Sequence, residues 1–372
     1  MAASNGFRDR QPGKTLWSLI AVVHLTFVLL FSSIYYIPKS TRPNADWSYR
    51  NALTNKLIKV ALRHITYLKL LLPLSMKPGA EKDRFVEIKP DKKLYNGDLA
   101  GPVTPSVIGG TWYPRKFQAG EELQKTVALH FHGGSFIFGS GRQSECADAA
   151  KLLTNHVVDS ALFVQYRLAG DPDCPFPAAI QDAVTAYQYL LALGIPASKI
   201  IVSGDSAGGS VAMALLRYIA EGKDILPSPG GCALWSPSID LATQDPNGID
   251  LHRNYKTDYL SGFTLIWGIG LYIPKPMDIT GPWFSPLRHP FATKVPIWMM
   301  TGTAEVLTDT IVDFAGRMRS VEGNKIGLHE VQNAPHDIFL VGDLMGWAKE
   351  ARAAAVAADS FFKESQHDVV KT

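Results

Sequence analysis

Strand-like and helix-like segments alternate along most of this chain, and this alternation limits the possible folds more than any other feature of the sequence. From about residue 105 onward, short apolar runs are separated by longer segments whose apolar residues recur at helical spacing. The predicted strands are Thr126–Phe131, Ala161–Gln165, Lys199–Ser203, Gly231–Trp235, Pro296–Thr301 and Gly327–Val331. The predicted helices span 144–156, 179–193, 208–221, 309–321 and 343–363. Such a pattern predicts an α/β fold in which helices cover both faces of a mostly parallel sheet.

One region, residues 239–292, interrupts the alternation. It contains two stretches rich in Pro and Trp and no obvious strand. In parallel sheets, functional residues gather at the carboxyl ends of the strands. We therefore predict that this region is an insertion lying over a site at that edge.

A serine occurs between a predicted strand and a predicted helix, in the sequence Gly-Asp-Ser-Ala-Gly at 204–208. This order of elements is typical of a nucleophile elbow, in which small neighbours permit a sharp turn that exposes the serine hydroxyl. The alternative interpretation is a tight turn with an incidental serine. We predict that Ser206 is a nucleophile.

A glycine-rich turn, His-Gly-Gly-Ser at 132–135, follows another predicted strand. Backbone N–H groups in such a turn can point at the oxyanion of an acyl-transfer intermediate without obstruction by side chains. The partner donor would be the N–H of Ala207, which directly follows the predicted nucleophile. The two turns together predict an oxyanion hole.

A serine nucleophile needs a base, and the base needs a carboxylate that orients it. Of the ten histidines, His336 is the best placed, because it lies in the loop after the last predicted strand; the alternative is a surface-loop histidine. Glu305 follows the strand 296–301, whereas Asp309 falls in the predicted first turn of a helix, where the helix dipole explains an acidic residue. We predict Glu305 as the acid, which gives the order Ser, acid, His that is found in α/β-hydrolases.

With these residues in place, the sequence resembles the hormone-sensitive-lipase-like family of α/β-hydrolases, which includes arylacetamide deacetylase. The resemblance covers about residues 105–345 and rests on several motifs in order. They are His-Gly-Gly-Ser at 132–135, Tyr-Arg-Leu-Ala at 166–169, Phe-Pro-Ala-Ala at 176–179 with Asp182, Gly-Asp-Ser-Ala-Gly-Gly at 204–209, Ser-Pro-Leu at 285–287 and Glu-Val-Leu-Thr-Asp at 305–309. Two positions depart from the family pattern: Ser135 replaces a third glycine and Glu305 replaces an aspartate.

The resemblance implies a Ser206, Glu305 and His336 triad. It also implies oxyanion N–H groups from Gly134, Ser135 and Ala207, with Gly133 shaping the turn, and a cap built from N-terminal helices and the 239–292 region. The implied activity is hydrolysis of apolar small-molecule esters through an acyl-enzyme, which requires neither a metal nor an organic cofactor. Alternatives are an amide or formamide hydrolase, an acyltransferase with the same triad, and a ligand receptor without catalysis. A receptor has no need of three intact triad candidates.

The N-terminus contains an apolar stretch from Leu16 to Ile37 without a charged residue. Its 22 residues would form about 33 Å of helix, which is enough to cross a bilayer core. We predict an uncleaved single-pass anchor rather than a signal peptide, since the stretch exceeds the usual signal length and no clear cleavage site follows. Arg8, Arg10 and Lys14 before it balance the basic residues after it, so the orientation stays open. We expect a membrane protein of the endoplasmic reticulum.

A second N-terminal segment, beginning near Trp47, has apolar residues at helical spacing and basic residues on another face. Two interpretations stay open: a helix on anionic lipid or a helix packed over the main domain. The predicted organisation is a polar tail at 1–14, a transmembrane anchor at 15–38, juxtamembrane and cap helices at 45–104, and a catalytic domain at 105–372 with its insertion at about 239–292.

Composition excludes other functions. The net charge of this 372-residue chain is only +3, and no basic stripe with interleaved aromatic residues predicts a nucleic-acid partner. The three cysteines form no Cys-x-x-Cys pair, so neither a zinc ribbon nor a disulfide framework is indicated. We expect buried, inert thiols.

Overall fold

A computed structural model describes residues 11–222 and 225–371, with side chains described up to residue 366. The predicted polar tail therefore lies mostly outside the described residues. Among the described residues, eight strands form one sheet. They are β1 (Phe85–Ile88), β2 (Ile108–Tyr113), β3 (Val127–Phe131), β4 (Ser160–Gln165), β5 (Ile200–Asp205), β6 (Gly231–Trp235), β7 (Ile297–Gly302) and β8 (Ile326–Val331).

The strand order is β1-β2-β4-β3-β5-β6-β7-β8. The strands from β4 to the β8 edge are parallel, and β2 is antiparallel to both of its neighbours. The described α-helices are α1 (Gly13–Tyr35), α2 (Tyr49–Tyr67), α3 (Gln143–His156), α4 (Ala178–Ala192), α5 (Ser206–Glu221), α6 (Pro246–Asp250), α7 (Gly262–Tyr272), α8 (Thr308–Arg319), α9 (Ile338–Met345) and α10 (Ala348–Lys371).

The sheet is covered by helices, as the alternation predicts. Helix α4 packs against α5, while α3, α9 and α10 pack against one another. Every residue of β2 through β7 is buried, which is the pattern of strands with no solvent-exposed face. The predicted fold class is confirmed.

The first two strands were not among the sequence predictions. Strand β1 has only four residues, and β2 contains Gly109 and Gly110, so neither carries a strong strand signal. Gly109 is nonetheless required by packing, because a Cβ there would lie 2.6 Å from the ring of Phe85. Strand β1 therefore places part of the sheet before residue 105, inside the region 45–104 for which the sequence predicts juxtamembrane and cap helices.

A second difference concerns the predicted helix 343–363, which is two helices. Helix α9 ends at Met345, and the next residue, Gly346, adopts a φ of +84°. Glycine reaches this left-handed conformation at little cost, so it terminates the helix and lets α10 begin in a new direction.

Helix α1 contains the predicted apolar stretch. Among the described residues it is the one helix long and apolar enough to cross a membrane, and only 17% of its most apolar window is buried. Leu19, Val23 and Phe27 are each more than 60% exposed.

Helix α2 packs over the main domain, which decides between the two interpretations of that segment. Asn51 and Thr66, near its two ends, are buried. The Asn51 amide donates to the carbonyl of Met345 at 2.7 Å, and the Thr66 hydroxyl lies 2.9 Å from that of Thr264 in α7. Helix α2 therefore packs against α7 and α9.

Candidate active site

The nucleophile candidate Ser206 lies at the sharp turn between β5 and α5. Its φ is +49°, an uncommon conformation for a residue with a side chain. The turn also brings α5 close to β3, since a Cβ on Gly208 would lie 1.9 Å from the carbonyl oxygen of Phe131. Glycine is thus required at 208, and the local sequence forces the serine out above the sheet.

Three side chains from distant parts of the chain meet at this edge. The Ser206 hydroxyl lies 2.9 Å from Nε2 of His336, and Nδ1 of that ring lies 2.8 Å from Oε2 of Glu305. When Nδ1 carries the proton that the carboxylate accepts, Nε2 is free to accept the serine proton. All three residues are buried, with Ser206 the most exposed at 6%.

The turn after β7 fixes Glu305. Its second oxygen, Oε1, accepts a hydrogen bond from the Gly302 amide at 3.0 Å and another from the Thr301 hydroxyl. Asp309, the rival candidate, lies about half exposed and pairs with Arg253 and His252. The acid beside His336 is therefore Glu305.

Electrostatics at His336 result from opposing effects. Burial lowers the pKa of the imidazole, but the hydrogen bond and charge of Glu305, together with the nearby Asp258 and Asp205, raise it further than burial lowers it. The net direction is upward from the ordinary value of 6.5. A raised pKa favours the imidazolium, which is the form that a proton-accepting base must pass through.

The glycine-rich turn after β3 lies against the elbow. Gly134 has a φ of +102° and Ser135 a φ of +53°, so the serine that departs from the family pattern adopts the left-handed conformation without a glycine. The amides of Gly134 and Ser135 donate no hydrogen bond to any other described residue. Ala207 lies in the first turn of α5, where N–H groups have no acceptor within the helix.

Gly133 differs from its neighbours in the turn. Its amide donates to Oδ2 of Asp205 at 2.8 Å, so this N–H is occupied. The other oxygen of Asp205 lies 2.9 Å from Nε2 of His130. Gly133 therefore shapes the turn, and Asp205 holds the turn against the elbow. Sequence reasoning missed this role of Asp205, although its position directly before the nucleophile was a usable signal.

The turns that carry Glu305 and His336 are joined to each other. The backbone N–H of Asn333 donates to the hydroxyl of Thr303 at 2.8 Å, and the backbone N–H of Ala304 donates to the carbonyl of Ala334 at 3.0 Å. Hydrogen bonds therefore join the two turns into one unit.

The connector between α1 and α2, residues 36–48, holds this unit from one side. Trp47 is 1% exposed, and its indole N–H donates to the carbonyl of Asn333 at 2.7 Å. The Asn44 amide donates to the side-chain oxygen of Asn333 at 2.9 Å. An N-terminal segment thus contacts the loop of His336, three residues before the imidazole.

The insertion at 239–292 contacts the turn that carries Glu305 from the other side. The Asn254 amide donates to the carbonyl of Glu305 at 2.9 Å, and the Thr257 hydroxyl donates to the carbonyl of Ala304 at 2.9 Å. The buried carboxylate of Asp258 accepts a hydrogen bond from the Val306 amide at 2.7 Å. None of these residues was singled out from the sequence, because loop contacts of this kind leave no periodic signal.

Aromatic rings lie next to the glycine-rich turn and next to His336. The ring of Phe136, next to the glycine-rich turn, stacks on Tyr272 of α7 with centroids 3.9 Å apart. The ring of Tyr259 in the insertion lies 5.7 Å from that of His336. Within the described part of the chain, no group of three or more His, Cys, Asp or Glu is arranged to hold a metal ion. All three cysteines are free and buried.

Known proteins resemble this chain in sequence and in fold. A family model described as alpha/beta hydrolase fold matches residues 128–340. An esterase of Acinetobacter venetianus is 32% identical over 71% of this chain and 80% of its own length. An ethyl acetate hydrolase of Pseudomonas putida is 30% identical over 63% of this chain and 73% of its own. Among solved structures, a hormone-sensitive lipase from a metagenome library superposes with a TM-score of 0.55 at 26% identity, covering 69% of this chain and 82% of that one.

Proposed function

The chain belongs to the alpha/beta hydrolase family, among the hormone-sensitive-lipase-like enzymes, and from this premise we propose that Ser206, His336 and Glu305 cleave carboxylic esters through a covalent acyl-enzyme. Relatives that are named esterase, ethyl acetate hydrolase and acetyl-hydrolase identify the protein as a carboxylic-ester hydrolase. The observation that supports this mechanism is the unbroken pair of hydrogen bonds from Ser206 to His336 and from His336 to Glu305.

In the first half of the reaction, Ser206 attacks the ester carbonyl carbon while His336 Nε2 takes the hydroxyl proton. The tetrahedral intermediate collapses, the C–O bond to the alcohol breaks, and the imidazolium returns the proton to the leaving alcohol. A water molecule then gives a proton to His336 as it attacks the acyl-enzyme. The acid leaves, and the proton returns to Ser206. Glu305 keeps the imidazole in the required tautomer and stabilises its charged form.

The oxyanion would accept hydrogen bonds from the backbone amides of Gly134, Ser135 and Ala207. The occupied amide of Gly133 takes no part in this. Such donors act strongly because they are aimed in advance at the developing charge, and loss of one typically costs about 10²–10³ in turnover.

The substrate class that we propose is an ester of an apolar small molecule. The buried site and the nearby aromatic rings of Phe136, Tyr259 and Tyr272 support this choice. Apolar groups gain free energy when they leave water and contact aromatic side chains. The same groups can cleave an amide or pass the acyl group to an alcohol. A panel of matched acetyl ester, anilide and formamide substrates, with and without an alcohol acceptor, separates these activities, and we expect the ester to have the highest kcat/KM.

The decisive experiment compares wild type with Ser206→Ala in hydrolysis of p-nitrophenyl acetate. We expect kcat to fall by roughly 10⁴–10⁶-fold. The exposed Ser320 is the control, and Ser320→Ala should retain wild-type activity. Equal turnover by wild type and Ser206→Ala would reject the proposal.

The location that we propose is a membrane, with α1 as a single-pass anchor and the endoplasmic reticulum as compartment. The full chain should stay in the pellet after alkaline carbonate extraction and sediment with endoplasmic-reticulum markers. Replacing two outward residues, Val23→Lys and Phe27→Lys, should release it, because charges in the apolar core are costly. The control Val312→Lys, on α8, should not. Wild-type protein in the soluble fraction would reject the anchor.

A further inference from the structure

Two buried carboxyl groups flank the proposed catalytic pair, and the mechanism above uses neither. Asp205 directly precedes Ser206, and Asp337 directly follows His336. The exposed fraction is 0% for Asp205 and 2% for Asp337. Their carboxyl groups lie in hydrogen-bond contact with each other, so the residue before the nucleophile touches the residue after the base.

The partners of the two carboxyl groups differ. Asp205 accepts hydrogen bonds from the Gly133 amide at 2.8 Å and lies 2.9 Å from His130. Asp337 caps α9 by accepting a hydrogen bond from the Leu340 amide at 3.3 Å. Two carboxyl groups in contact inside a protein cannot both be ionised without a large cost, so they share a single proton.

The proton belongs with Asp337. Burial and the negative charge of Asp205 raise the pKa of Asp337 well above its ordinary value. Burial also raises the pKa of Asp205, but its interaction with His130 and the hydrogen bond from Asp337 outweigh burial and lower it. The other titratable groups that interact with this pair are Cys146 of α3, His132, Tyr166, Glu305, Tyr259 and His336.

We propose that Asp337 is a positioning residue whose protonated carboxyl donates a hydrogen bond to the Asp205 carboxylate and so fixes His336 against Ser206. The bond joins the two loops at the positions next to the reacting atoms. The backbone supports the arrangement, since Asp337 has a φ of +51° and its amide donates to the hydroxyl of Ser236 at 3.1 Å. The role assigned to Asp337 rests on the proposed function of Ser206 and His336.

The test separates the carboxyl contact from the helix cap. Asp337→Asn keeps an oxygen for the cap and supplies a permanent N–H donor for Asp205, and asparagine tolerates a positive φ. Asp337→Ser can still cap the helix but is too short to reach Asp205. At neutral pH we expect Asp337→Asn to retain kcat within about threefold, while Asp337→Ser loses about tenfold or more in kcat at nearly unchanged KM, as expected when the base is displaced but the substrate site is intact.

Equal kcat for wild type and Asp337→Ser would overturn the proposal, and so would Asp337→Asn as impaired as Asp337→Ser. Asp337→Ser can also fail to fold, and a second measurement does not depend on that variant or on activity. It compares the folding equilibrium constants of wild type and Asp337→Asn in detergent by urea unfolding at several pH values.

A raised native pKa means that the native state holds a proton that the unfolded state has released. The stability that the Asp337 proton gives to the wild-type protein is therefore fully present below the ordinary aspartate pKa. It is lost as pH rises through the native pKa of Asp337. Within that window, the ratio of the wild-type to the Asp337→Asn folding constant should fall about tenfold per pH unit. A ratio that is constant with pH would show that no proton is shared. Failure of Ser206→Ala to lose activity would reject the proposed function and leave this measurement unaffected.

Discussion

The two halves of the site are built in different ways. The elbow half, β3 to the glycine-rich turn and β5 to Ser206, consists of neighbouring strands and a tight turn whose shape is set by nearby glycines. The other half, which we call the acid–base half after the roles proposed for Glu305 and His336, consists of two loops held by the connector residue Trp47 and by the insertion. The elbow is determined locally, whereas the acid–base half depends on segments far away in the sequence.

This difference has a consequence for how each half tolerates change. Substitutions in the elbow meet backbone atoms and disturb the fold itself. Substitutions in the supports of the acid–base half leave the sheet intact and change how well the base is placed. Substitutions in the elbow should therefore cause the largest losses of folding stability. Substitutions in the supports of the acid–base half should lower kcat more than their effect on stability would suggest.

The largest expected effect is that of Glu305→Gln, which removes the charge but keeps the shape of the side chain. We expect kcat to fall by about 10⁴-fold because the imidazole loses its tautomer control and the partner of its charged form. The matched control is Asp309→Asn, whose carboxylate pairs with Arg253 at the surface and should be within twofold of wild type in steady-state kinetics. Comparable losses in the two variants would mean that the acid is wrongly assigned.

The next effect is on the elbow. Gly208→Ala places a methyl group against the Phe131 carbonyl and should destabilise the protein by at least about 3 kcal/mol. Gly316→Ala in α8 is the control, since nothing lies within 4 Å of its Cβ; it should stabilise by about 0.5–1 kcal/mol. Urea unfolding measures both, and a Gly208→Ala protein as stable as wild type would contradict the claim that the elbow is set by close backbone approach.

A smaller effect should follow from loosening the connector. Trp47→Phe removes the indole N–H and leaves the Asn333 carbonyl unpaired, at a cost of about 1–3 kcal/mol. We expect kcat to fall by up to about tenfold. Trp283, whose indole N–H donates to the carboxylate of Asp98 at the surface at 2.7 Å, is the matched control, and Trp283→Phe should change kcat little. Identical kinetics for the two variants would remove the connector from the account.

The smallest effect is a displaced pH profile. Because His336 must be neutral to act as a base and its pKa is raised, kcat/KM should rise with pH and reach half its maximum above pH 6.5. The residual activity of Glu305→Gln should reach half its maximum at a lower pH than wild type, because the Glu305 charge that raises the pKa of His336 is gone. In linkage terms, the stability contributed by His336 is full below pH 6.5 and is lost as pH rises through its native pKa. A wild-type midpoint below 6.5 would contradict this balance of charges.

The sequence predicts the elbow half of the site better than it predicts the contacts that support the acid–base half. Ser206, the glycine-rich turn and the strand–helix alternation carry local signals, and the structure has the predicted fold class. Glu305 and His336 could be located because each follows a strand. By contrast, β1 and β2 carry weak local signals.

The supporting residues are of another kind. Trp47, Asn333 and Asp258 act through loop contacts between segments that are distant in the sequence, and no spacing rule encodes such pairs. Asp337 was visible as the residue after His336, but its contact with Asp205 depends on the register of two loops that only the folded chain defines.

The most direct test of the account is covalent labelling by a fluorophosphonate, because the reaction needs both halves of the site at once. Wild-type protein should be labelled on the peptide that contains Ser206, and His336→Ala should react at least about a hundredfold more slowly while keeping its fold by circular dichroism. Labelling at another residue, or an equal rate without His336, would show that the two halves do not act together.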